Sequence, residues 1–268
     1  MISLSHQTST PTLIDPSHPK YIHFPNPELS DSDGFIGHGG NLNVETLLSA
    51  YQQGIFPWFN QNQPLLWWSP NPRMIIKTDE MHVSKSLKKC LRASRFKVTC
   101  GQAFSDVIDA CSKPRQTHVV TAESEEINQE INDGNEKENV QTHTWITDEM
   151  KQAYIKLHHQ GFAQSIECWQ NEQLVGGLYG VTFAGMFFGE SMFSKVTNSS
   201  KIALFHLCQF LKSQRVDWID CQVESDHLLS LGAINIPRHE FLTKIKHQLS
   251  QQNTIDWQTF QPAITGKD

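Results

Sequence analysis

The spacing of apolar residues predicts regular elements along most of the second half of the chain. Strands are favoured where apolar and polar residues alternate, and helices where apolar residues recur every three or four positions. We predict, in chain order, a helix over 147–160, strands over 163–169, 173–183 and 186–193, a helix from 199 to about 213, and a strand over 218–223. Turn residues at Asn171-Glu172 and Ala184-Gly185 join the three consecutive strands into an antiparallel meander. This mixture of elements predicts an α+β fold.

The first half of the chain is less regular. An amphipathic helix is predicted near residues 44–51, and the stretch over 56–72 combines prolines with tryptophans, which is typical of a rigid surface and not of a helix. The elements predicted after it are a strand over 74–76 and helices over 84–95 and 104–111. We therefore predict a small N-terminal domain over 1–71, with a loosely ordered first segment, and a larger second domain over 72–268.

Negative charge is concentrated in one segment. The net charge is −6, but residues 121–140 hold seven carboxylates against one lysine, and the rest of the chain has 21 acidic and 21 basic residues. The overall charge therefore says nothing about a polyanionic partner, and local clusters must decide. Because the acidic segment has few apolar residues, we predict a disordered and dispensable insertion near 117–143.

Hydropathy and cysteine spacing exclude several classes of protein. No run of 18 apolar residues is present to span a bilayer, and residues 1–7 show no basic segment leading into an apolar one. We expect neither membrane insertion nor secretion, and a cytoplasmic location. The six cysteines are scattered, without the paired spacing of a metal site, so we predict reduced thiols and no bound metal.

A basic stripe is predicted on the helix over 84–95. Lys85, Lys88, Lys89 and Arg92 are spaced by three and four residues, so their side chains share one helix face. A solvated surface and a binding surface for a polyanion both fit this pattern. Taken alone, the stripe favours the solvated surface.

Polar side chains within two predicted strands mark a candidate site. Asp220 and Gln222 project from the same face of their strand, as do Phe188 and Glu190 of another strand, because successive side chains alternate. A carboxylate is costly to bury among apolar neighbours unless it is paired. Each acidic residue fits either an active site or a structural role in which it binds buried backbone.

Glycines in the neighbouring strands add to this pattern. They occupy positions 176, 177, 180 and 189. Because glycine weakens a strand, such a cluster indicates a slot where a ligand approaches the backbone, or else a β-bulge or tight packing under a helix.

Several motifs occur together in an order that resembles one enzyme family. The motifs are Phe56-Pro57-Trp58-Phe59, Leu66-Trp67-Trp68-Ser69-Pro70, His82-Val83-Ser84, Thr144-Trp145-Ile146, Leu174-Val175-Gly176-Gly177-Leu178-Tyr179-Gly180, Gly189-Glu190-Ser191-Met192-Phe193-Ser194, Ile219-Asp220-Cys221-Gln222 and Ser230-Leu231-Gly232-Ala233. From about residue 24 to residue 241, they resemble the leucyl/phenylalanyl-tRNA–protein transferases. The resemblance implies that the second domain has a GNAT-like acyltransferase fold. It also implies transfer of Leu or Phe, and more weakly Met, from tRNA to the N-terminal Arg or Lys of a protein, which marks that protein for N-degron proteolysis.

The resemblance implies roles for individual residues. Asp220 and Gln222 are similar to the family's catalytic pair. Glu190 is similar to the residue that holds the aminoacyl-adenosine end, and Trp58 and Trp145 resemble the aromatic walls near the terminal adenosine. The pocket for the Leu or Phe side chain would be lined by Leu178, Phe188, Ile219 and Tyr154. The basic stripe then becomes a tRNA-binding surface, since a tRNA arm requires neutralisation of its phosphates.

Partners and cofactors also follow from the resemblance. We expect Leu-tRNA and Phe-tRNA as donors, proteins with N-terminal Arg or Lys as acceptors, an indirect link to proteolytic machinery, and a monomeric enzyme without a cofactor. An aminoacyl ester is already activated, and an α-amino group with a pKa of about 7.7–8.0 is a nucleophile near neutral pH, so neither a metal nor a strong base is required. The sequence leaves open whether Asp220 moves a proton or only binds the acceptor amine.

The chain departs from the family pattern at three places. Asn41 stands where the family usually has Asp, Ala93 interrupts the basic helix, and the loop over 117–143 is enlarged. An acidic loop beside a phosphate-binding surface would weaken tRNA binding, so the loop bears most on how tRNA is held.

Three other functions fit parts of the sequence. An acetyl-CoA-dependent N-acetyltransferase would require a glycine-containing pyrophosphate loop, whereas residues 194–201 contain no glycine. A non-catalytic binder of tRNA or of protein N-termini would use Trp58 and the basic stripe but would not need Asp220 and Gln222 together. A transferase that builds peptidoglycan bridges would share the donor but is expected to be larger and duplicated.

Overall fold

The described part of this computed structural model covers residues 13–93, 95–113, 146–251 and 253–263. The strands are β1 (Phe35–His38), β2 (Phe56–Pro57), β3 (Leu66–Trp68), β4 (Arg73–Lys77), β5 (Lys97–Cys100), β6 (Ala163–Gln170), β7 (Gln173–Phe183), β8 (Met186–Ser194), β9 (Trp218–Gln222) and β10 (Ile234–Ile236). The helices are α1 (Val44–Gln52), α2 (Lys85–Arg92), α3 (Phe104–Cys111), α4 (Asp148–His159), α5 (Ser199–Ser213), α6 (Asp226–Ser230) and α7 (Arg238–Gln251). Two 3₁₀ turns complete the set, at Pro27–Leu29 and Trp257–Thr259.

A seven-stranded mixed sheet occupies the centre of the fold. Its strand order is β10-β4-β9-β8-β7-β6-β5, and its neighbouring strands are antiparallel except for β8 and β9, which run parallel. Helix α5 connects these two strands, as a crossover between parallel strands requires. The predicted α+β class is confirmed, and the predicted meander is present as β6, β7 and β8.

A second, three-stranded sheet belongs to the N-terminal part of the chain. Its order is β1-β3-β2, and residues 35–68 supply all three strands. The stretch rich in proline and tryptophan contributes β2 and β3, so it is a rigid surface made of short strands. The larger sheet begins at Arg73, and the change of sheet therefore lies next to the predicted domain boundary at residue 71.

Apolar side chains cover both faces of the larger sheet. On one face, Leu47 and Tyr51 of α1 and Tyr154 of α4 belong to the same buried cluster as Phe188 of β8. On the other face, α2 and α5 pack over the sheet in a second cluster that includes Ile219 of β9. Because the first cluster contains residues of both sheets, the N-terminal part and the larger sheet share one continuous core.

Helix ends follow the signals in the sequence. Thr147 caps α4, since its hydroxyl oxygen accepts a hydrogen bond from the Met150 backbone N–H at 3.2 Å, and Gly161 takes a left-handed conformation with φ 82° after the helix. Ser84 caps α2 in the same way through the Leu87 N–H. Helix α2 ends at Arg92, three residues before the predicted end.

The structure does not describe two of the segments for which the sequence made predictions. The predicted insertion over 117–143 and the predicted adenosine wall Trp145 lie outside the described residues. Within the residues that are described, no helix has the length and apolar character needed to cross a bilayer.

Candidate active site

A β-bulge in β8 sets the position of Glu190. Tyr179 of β7 pairs with Ser191, whereas the next residue, Gly180, pairs with Gly189, so Glu190 is an extra residue in its strand. A side chain at Gly180 is not possible here, because a Cβ atom would lie 2.3 Å from the Phe188 carbonyl oxygen. Two of the four glycines, Gly180 and Gly189, thus lie at a bulge that directs a carboxylate. Gly176 instead packs under α5, because a Cβ atom there would lie 2.2 Å from the Ser199 Oγ.

Three hydrogen-bond donors surround the Glu190 carboxylate. Tyr51 donates to Oε1 at 2.6 Å, Tyr154 donates to Oε2 at 2.9 Å, and the Gln222 side-chain amide donates to Oε1 at 2.8 Å. The hydroxyl groups of Tyr51 and Tyr154 also lie 2.7 Å apart. Because all three groups can donate, the arrangement suits a negatively charged carboxylate.

Burial opposes that charge. Glu190 is only 8% exposed, and loss of solvation raises the pKa of its carboxyl from 4.5 to about 7, although hydrogen bonds from Tyr51, Tyr154 and Gln222 act in the other direction. The nearby Asp220 also raises this pKa. Burial raises the pKa of both tyrosine hydroxyls well above 10, so they remain donors. Glu190 therefore titrates near neutral pH, as functional carboxylates often do.

A buried ion pair lies beneath this cluster. The Arg73 guanidinium binds both oxygens of the Asp220 carboxylate, with Nε to Oδ1 at 2.8 Å and Nη2 to Oδ2 at 2.6 Å. Both residues are fully buried, and the guanidinium also lies 4.7 Å and 4.4 Å from the ring centres of Phe56 and Phe241. Such a two-point pair holds the Asp220 side chain in one orientation.

Asp220 in turn holds Gln222. The Gln222 backbone N–H donates to Asp220 Oδ1 at 3.0 Å, and Gln222 has a positive φ of 65°, which is uncommon for a residue with a side chain. Positive φ at such a position marks local strain that the surrounding contacts maintain. The pairing of Phe188 with Asp220 in parallel strands places Gln222 beside Glu190. The structure thus forms a chain of contacts from Arg73 through Asp220 and Gln222 to Glu190.

Two small cavities meet at Glu190. One has a volume of about 180 Å³ and is lined by Trp58, Gln222, Glu190 and Cys221, among others. The other has a volume of about 220 Å³, and Glu190 and Cys221 line both cavities. We name the first the tryptophan cavity and the second the apolar cavity.

The predicted side-chain pocket is divided between the two faces of the sheet. Leu178 and Ile219 line the apolar cavity, as predicted. Phe188 and Tyr154 instead belong to the core on the opposite face, where Tyr154 binds Glu190 through its hydroxyl. The structure therefore does not bring the four residues together. Strand alternation explains the division, because Phe188 and Glu190 share a face that Leu178 does not.

Residues outside the sequence motifs complete the apolar cavity. Leu204 and Leu207 of α5 lie over the sheet, and Phe187 of β8 forms further wall. The regular apolar spacing of α5 indicated a buried face but gave no sign that part of this face lines a cavity.

Of the two predicted adenosine walls, Trp58 and Trp145, only Trp58 lies within the described residues. Trp58 is 42% exposed at the wall of the tryptophan cavity, and its ring packs edge-on against Trp68 at 6.1 Å between centres. The Trp68 indole N–H also donates to the Trp58 carbonyl oxygen at 2.7 Å. The aromatic surface at Trp58 is thus held by its neighbour and remains open to a flat ring.

The basic stripe lies on the exposed side of α2. Lys85, Lys88, Lys89 and Arg92 are all exposed, whereas Leu87 and Leu91 of the same helix are buried against the sheet. In the described part of the chain, none of the ion pairs involves these four basic side chains. Their charges are therefore available to an external partner.

Two residues of the site were missed by sequence reasoning. Arg73 stands at the start of an apolar strand, and a cation followed by Met74, Ile75 and Ile76 is a signal for a buried ion pair. Tyr51 was assigned only to the apolar side of α1, and its hydroxyl gave no sign of a partner 139 residues away. Across the ranges described, no three His, Cys, Asp or Glu side chains converge on a metal position.

Replacing Glu190 with glutamine should change how stability depends on pH. Between pH 4.5 and about 7 the folded chain keeps a proton on Glu190 that the unfolded chain has released, so the wild-type free energy of unfolding falls as pH rises. A pKa difference of this size corresponds to about 3 kcal/mol. Urea unfolding should therefore show that the free energy of unfolding of Glu190→Gln rises relative to wild type by about this amount between about pH 4 and pH 8. The exposed Glu172→Gln should show no such gain, and parallel pH profiles for Glu190→Gln and wild type would contradict the assignment.

Comparison with known proteins identifies the family of the chain. The family model for leucyl/phenylalanyl-tRNA protein transferase matches residues 75–133 and 119–246, and the model for the N-terminal domain of the same proteins matches residues 40–71. The leucyl/phenylalanyl-tRNA–protein transferase of Pseudoalteromonas atlantica is 45% identical over 249 residues, which cover 91% of this chain and 97% of the relative. Proteins of the same name from Psychrobacter cryohalolentis and Desulfatibacillum aliphaticivorans are each 46% identical, over 86% and 87% of this chain and 81% and 91% of their own. The chain thus belongs to the family of leucyl/phenylalanyl-tRNA–protein transferases, which are aminoacyltransferases.

Proposed function

We propose that this enzyme transfers Leu or Phe, and Met more weakly, from tRNA to the N-terminal Arg or Lys of acceptor proteins. The observation that carries the proposal is the apolar cavity of about 220 Å³ that opens beside Glu190 and Gln222. A cavity of this size suits one large apolar side chain, and the polar groups at its edge suit the ester and amines of the reaction. Selection against a shorter side chain contributes only about 1–3 kcal/mol, so three apolar side chains of similar size are accepted.

The two cavities together suggest a position for the donor end, which is part of the proposal. The Leu or Phe side chain occupies the apolar cavity, and the terminal adenosine of tRNA lies in the tryptophan cavity against Trp58. The family resemblance implies a second aromatic wall at Trp145, which lies outside the described residues. Glu190 lies between them, where its carboxylate binds the cationic α-amino group of the aminoacyl end. This placement is supported by the two cavities that share Glu190 as a lining residue.

The reaction is aminolysis of an ester. The α-amino nitrogen of the acceptor attacks the ester carbonyl carbon, a C–N bond forms, and the tetrahedral oxyanion collapses with loss of the ribose oxygen of tRNA. The proton released by the amine ends on that ribose oxygen, so tRNA leaves with a free hydroxyl group. Gln222 positions the amine and the developing oxyanion, and Asp220 acts through Gln222 because both of its oxygens are already bound.

The proposal also covers the fold, oligomeric state, location and donor of the enzyme. The parallel pair β8 and β9 joined by α5 within a mixed sheet supports a GNAT-like second domain over 72–268, following a small domain over 1–71. We further propose a monomer that acts in the cytoplasm without a cofactor, and products that are degraded through the N-degron route. The absence of glycine at the start of α5 supports aminoacyl-tRNA over acetyl-CoA as donor.

Neutralising the basic stripe should weaken tRNA binding without slowing the chemical step. The double variant Lys88→Gln and Arg92→Gln removes two exposed charges, so the KM for aminoacyl-tRNA should rise several-fold while kcat stays within about twofold, and the salt dependence of kcat/KM should become shallower. The matched variant Lys244→Gln and Lys246→Gln on α7 removes two charges elsewhere and should change neither quantity. Equal effects of the two double variants would show that only net charge matters.

Deleting residues 121–140 should leave transfer intact. The segment carries seven carboxylates, and the two segments that the family model matches, 75–133 and 119–246, overlap in part of it. Without these charges the affinity for tRNA should rise modestly at low salt, since repulsion of phosphate is reduced. Transfer rates and tRNA affinity measured at two salt concentrations test this, and a large loss of activity would contradict it.

A direct transfer assay tests the proposed function. The protein is incubated with labelled Leu-tRNA, Phe-tRNA or Met-tRNA and a peptide that begins with Arg or Lys, and the label in the peptide is measured. Labelling should follow for Leu and Phe, be weaker for Met, and disappear when the peptide is acetylated at its N-terminus or begins with Ala. Equal labelling of peptides that begin with Ala would contradict the proposed acceptor class.

A further inference from the structure

The C-terminal segment, residues 253–263, packs against α5. The Asp256 N–H donates to the side-chain Oε1 of Gln214, which follows the last residue of α5, at 3.2 Å. At the other end of the segment, the Ala263 N–H donates to Nδ1 of His206 in the middle of the helix, at 2.9 Å. Burial lowers the pKa of His206 to about 4, so its ring is neutral at neutral pH and can accept this bond. The segment is therefore anchored to α5 toward both of its ends.

Trp257 lies between these two anchors and packs on Phe187. The centre of its ring lies 5.3 Å from that of Phe210 on α5 and 5.8 Å from that of Phe187 on β8. Phe187 is 1% exposed and lines the apolar cavity, whereas Trp257 does not line it. Trp257 is therefore joined to the apolar cavity through the Phe187 ring.

The Phe187 ring also lies against the backbone of β7. A Cβ atom at Gly180 would be 2.6 Å from two carbon atoms of this ring, so the ring occupies the space that a side chain would take. Protein interiors are packed as densely as organic crystals, so a side chain keeps its position only while its neighbours fill the space around it. Phe187 is thus held by a glycine of one strand and by Trp257 of the C-terminal segment.

Removing the Trp257 ring would leave free volume beside Phe187. A large-to-small change in a core leaves a cavity that the neighbouring side chains fill only in part. Because the backbone at Gly180 blocks movement toward β7, the Phe187 ring would move toward the space left by Trp257. The apolar cavity would then become larger at Phe187, and its preference for side chains of one size would weaken.

We propose that Trp257 is a positioning residue that limits the size of the donor side chain. By supporting Phe187, it keeps the apolar cavity too small to favour a side chain larger than Phe, such as Trp. This inference rests on the proposed function, because it takes the apolar cavity as the place of the donor side chain. It gives a part in donor selection to a segment whose described residues do not line the cavity.

The matched variants Trp257→Leu and Phe260→Leu test the proposal by transfer. Both remove a ring that packs on Phe210, at 5.3 Å and 5.1 Å, but of the two only Trp257 has a ring contact with Phe187. The ratio of kcat/KM for Trp-tRNA to kcat/KM for Phe-tRNA should rise at least about tenfold in Trp257→Leu and stay within about twofold of wild type in Phe260→Leu. Because the ratio compares two donors on one protein sample, the fraction of folded enzyme cancels. A purely structural role would lower transfer of both donors equally, and an unchanged ratio in Trp257→Leu would overturn the proposal.

Further variants test whether the effect passes through Phe187. Phe187→Leu should raise the same ratio by a similar factor, and adding Trp257→Leu to it should raise the ratio by less than about twofold more, because both changes act on one contact. Trp257→Phe keeps one ring at this position and should give an intermediate ratio, which tests the support even if Trp257→Leu does not fold. Effects of the two Leu variants that multiply independently would overturn the role of Phe187 as the link.

Binding of donor analogues distinguishes this inference from the proposed reaction. The probes are the 3′-aminoadenosine amides of Phe and Trp, which keep the aminoacyl end but have no ester to transfer. Calorimetry with the full chain should show that wild type binds the Phe amide more tightly than the Trp amide. The ratio of the two affinities should shrink at least about fivefold in Trp257→Leu and stay unchanged in Phe260→Leu.

The two assays together separate the possible failures. If no donor is transferred while this pattern of binding holds, the proposed reaction fails and the size limit stands. If wild type transfers Leu and Phe but neither ratio changes in Trp257→Leu, the size limit fails and the reaction stands. A wild-type protein that neither transfers a donor nor binds an analogue would overturn both.

Discussion

Replacing Asp220 with alanine is expected to lower the free energy of unfolding by about 3–5 kcal/mol and to abolish transfer. The loss of stability follows because the Arg73 guanidinium, which is fully buried, would keep its charge and lose its partner. Transfer is lost because the Gln222 N–H loses the acceptor that holds this residue in its positive-φ conformation. Urea unfolding and the peptide-labelling assay measure the two effects separately.

A double variant distinguishes stability from activity at this pair. Arg73→Met with Asp220→Leu replaces the ion pair by apolar side chains of similar size, a change that is often neutral or stabilising in other buried pairs. We expect the double variant to recover most of the stability that Asp220→Ala loses, but none of the transfer. Transfer restored to near the wild-type rate would contradict the role of Asp220 in positioning Gln222. A loss of less than about 1 kcal/mol in Asp220→Ala would contradict the buried pair itself.

Replacing Gln222 with alanine should reduce kcat for transfer by about 10²–10³-fold, with little change in the KM for aminoacyl-tRNA. The amide of Gln222 lies at the wall of the tryptophan cavity and donates to Glu190, so its loss removes a polar group that acts where charge develops. The backbone conformation supplies a control for folding. With φ at 65°, Gln222→Gly should be more stable than Gln222→Ala by about 1 kcal/mol and equally inactive.

Single-turnover transfer and urea unfolding measure these two effects of the Gln222 variants. If the Gly variant were active while the Ala variant was not, backbone strain and not the amide would explain the loss. If both variants kept the wild-type kcat, Gln222 would have no part in catalysis. In a parallel Glu190→Gln variant, an amide of the same shape replaces the carboxylate. This variant shows whether the charge of Glu190 is needed for transfer.

Much of the fold was predictable because its signals are local. Alternating apolar residues, turn residues and capping groups identified β6, β7, β8, α4 and α5 within about two residues of their ends. Strand alternation also placed Ile219 on the face opposite Asp220, and the structure agrees, since Ile219 lines the apolar cavity while Asp220 binds Arg73. Only the backbone pattern is needed for such predictions.

The contacts that build the candidate site depend instead on pairings between distant parts of the chain. Arg73 meets Asp220 across 147 residues, and Tyr51 meets Glu190 across 139, so no local pattern predicts either contact. The same limit explains why Phe188 and Tyr154 were grouped with Leu178 in one pocket. A family motif identifies residues near a site, but the side of the sheet on which each lies depends on the bulge at Glu190 and on the packing of α4.

The variant Leu207→Phe tests most directly whether the aminoacyl side chain lies in the apolar cavity beside Glu190. The quantity to measure is the ratio of kcat/KM for Phe-tRNA to kcat/KM for Leu-tRNA. Leu207 lies on α5 at the cavity wall, so a larger side chain shrinks the cavity without touching Glu190, Gln222 or Asp220. Transfer of Phe should fall at least about tenfold more than transfer of Leu. An unchanged ratio, with both donors transferred at wild-type rates, would contradict it.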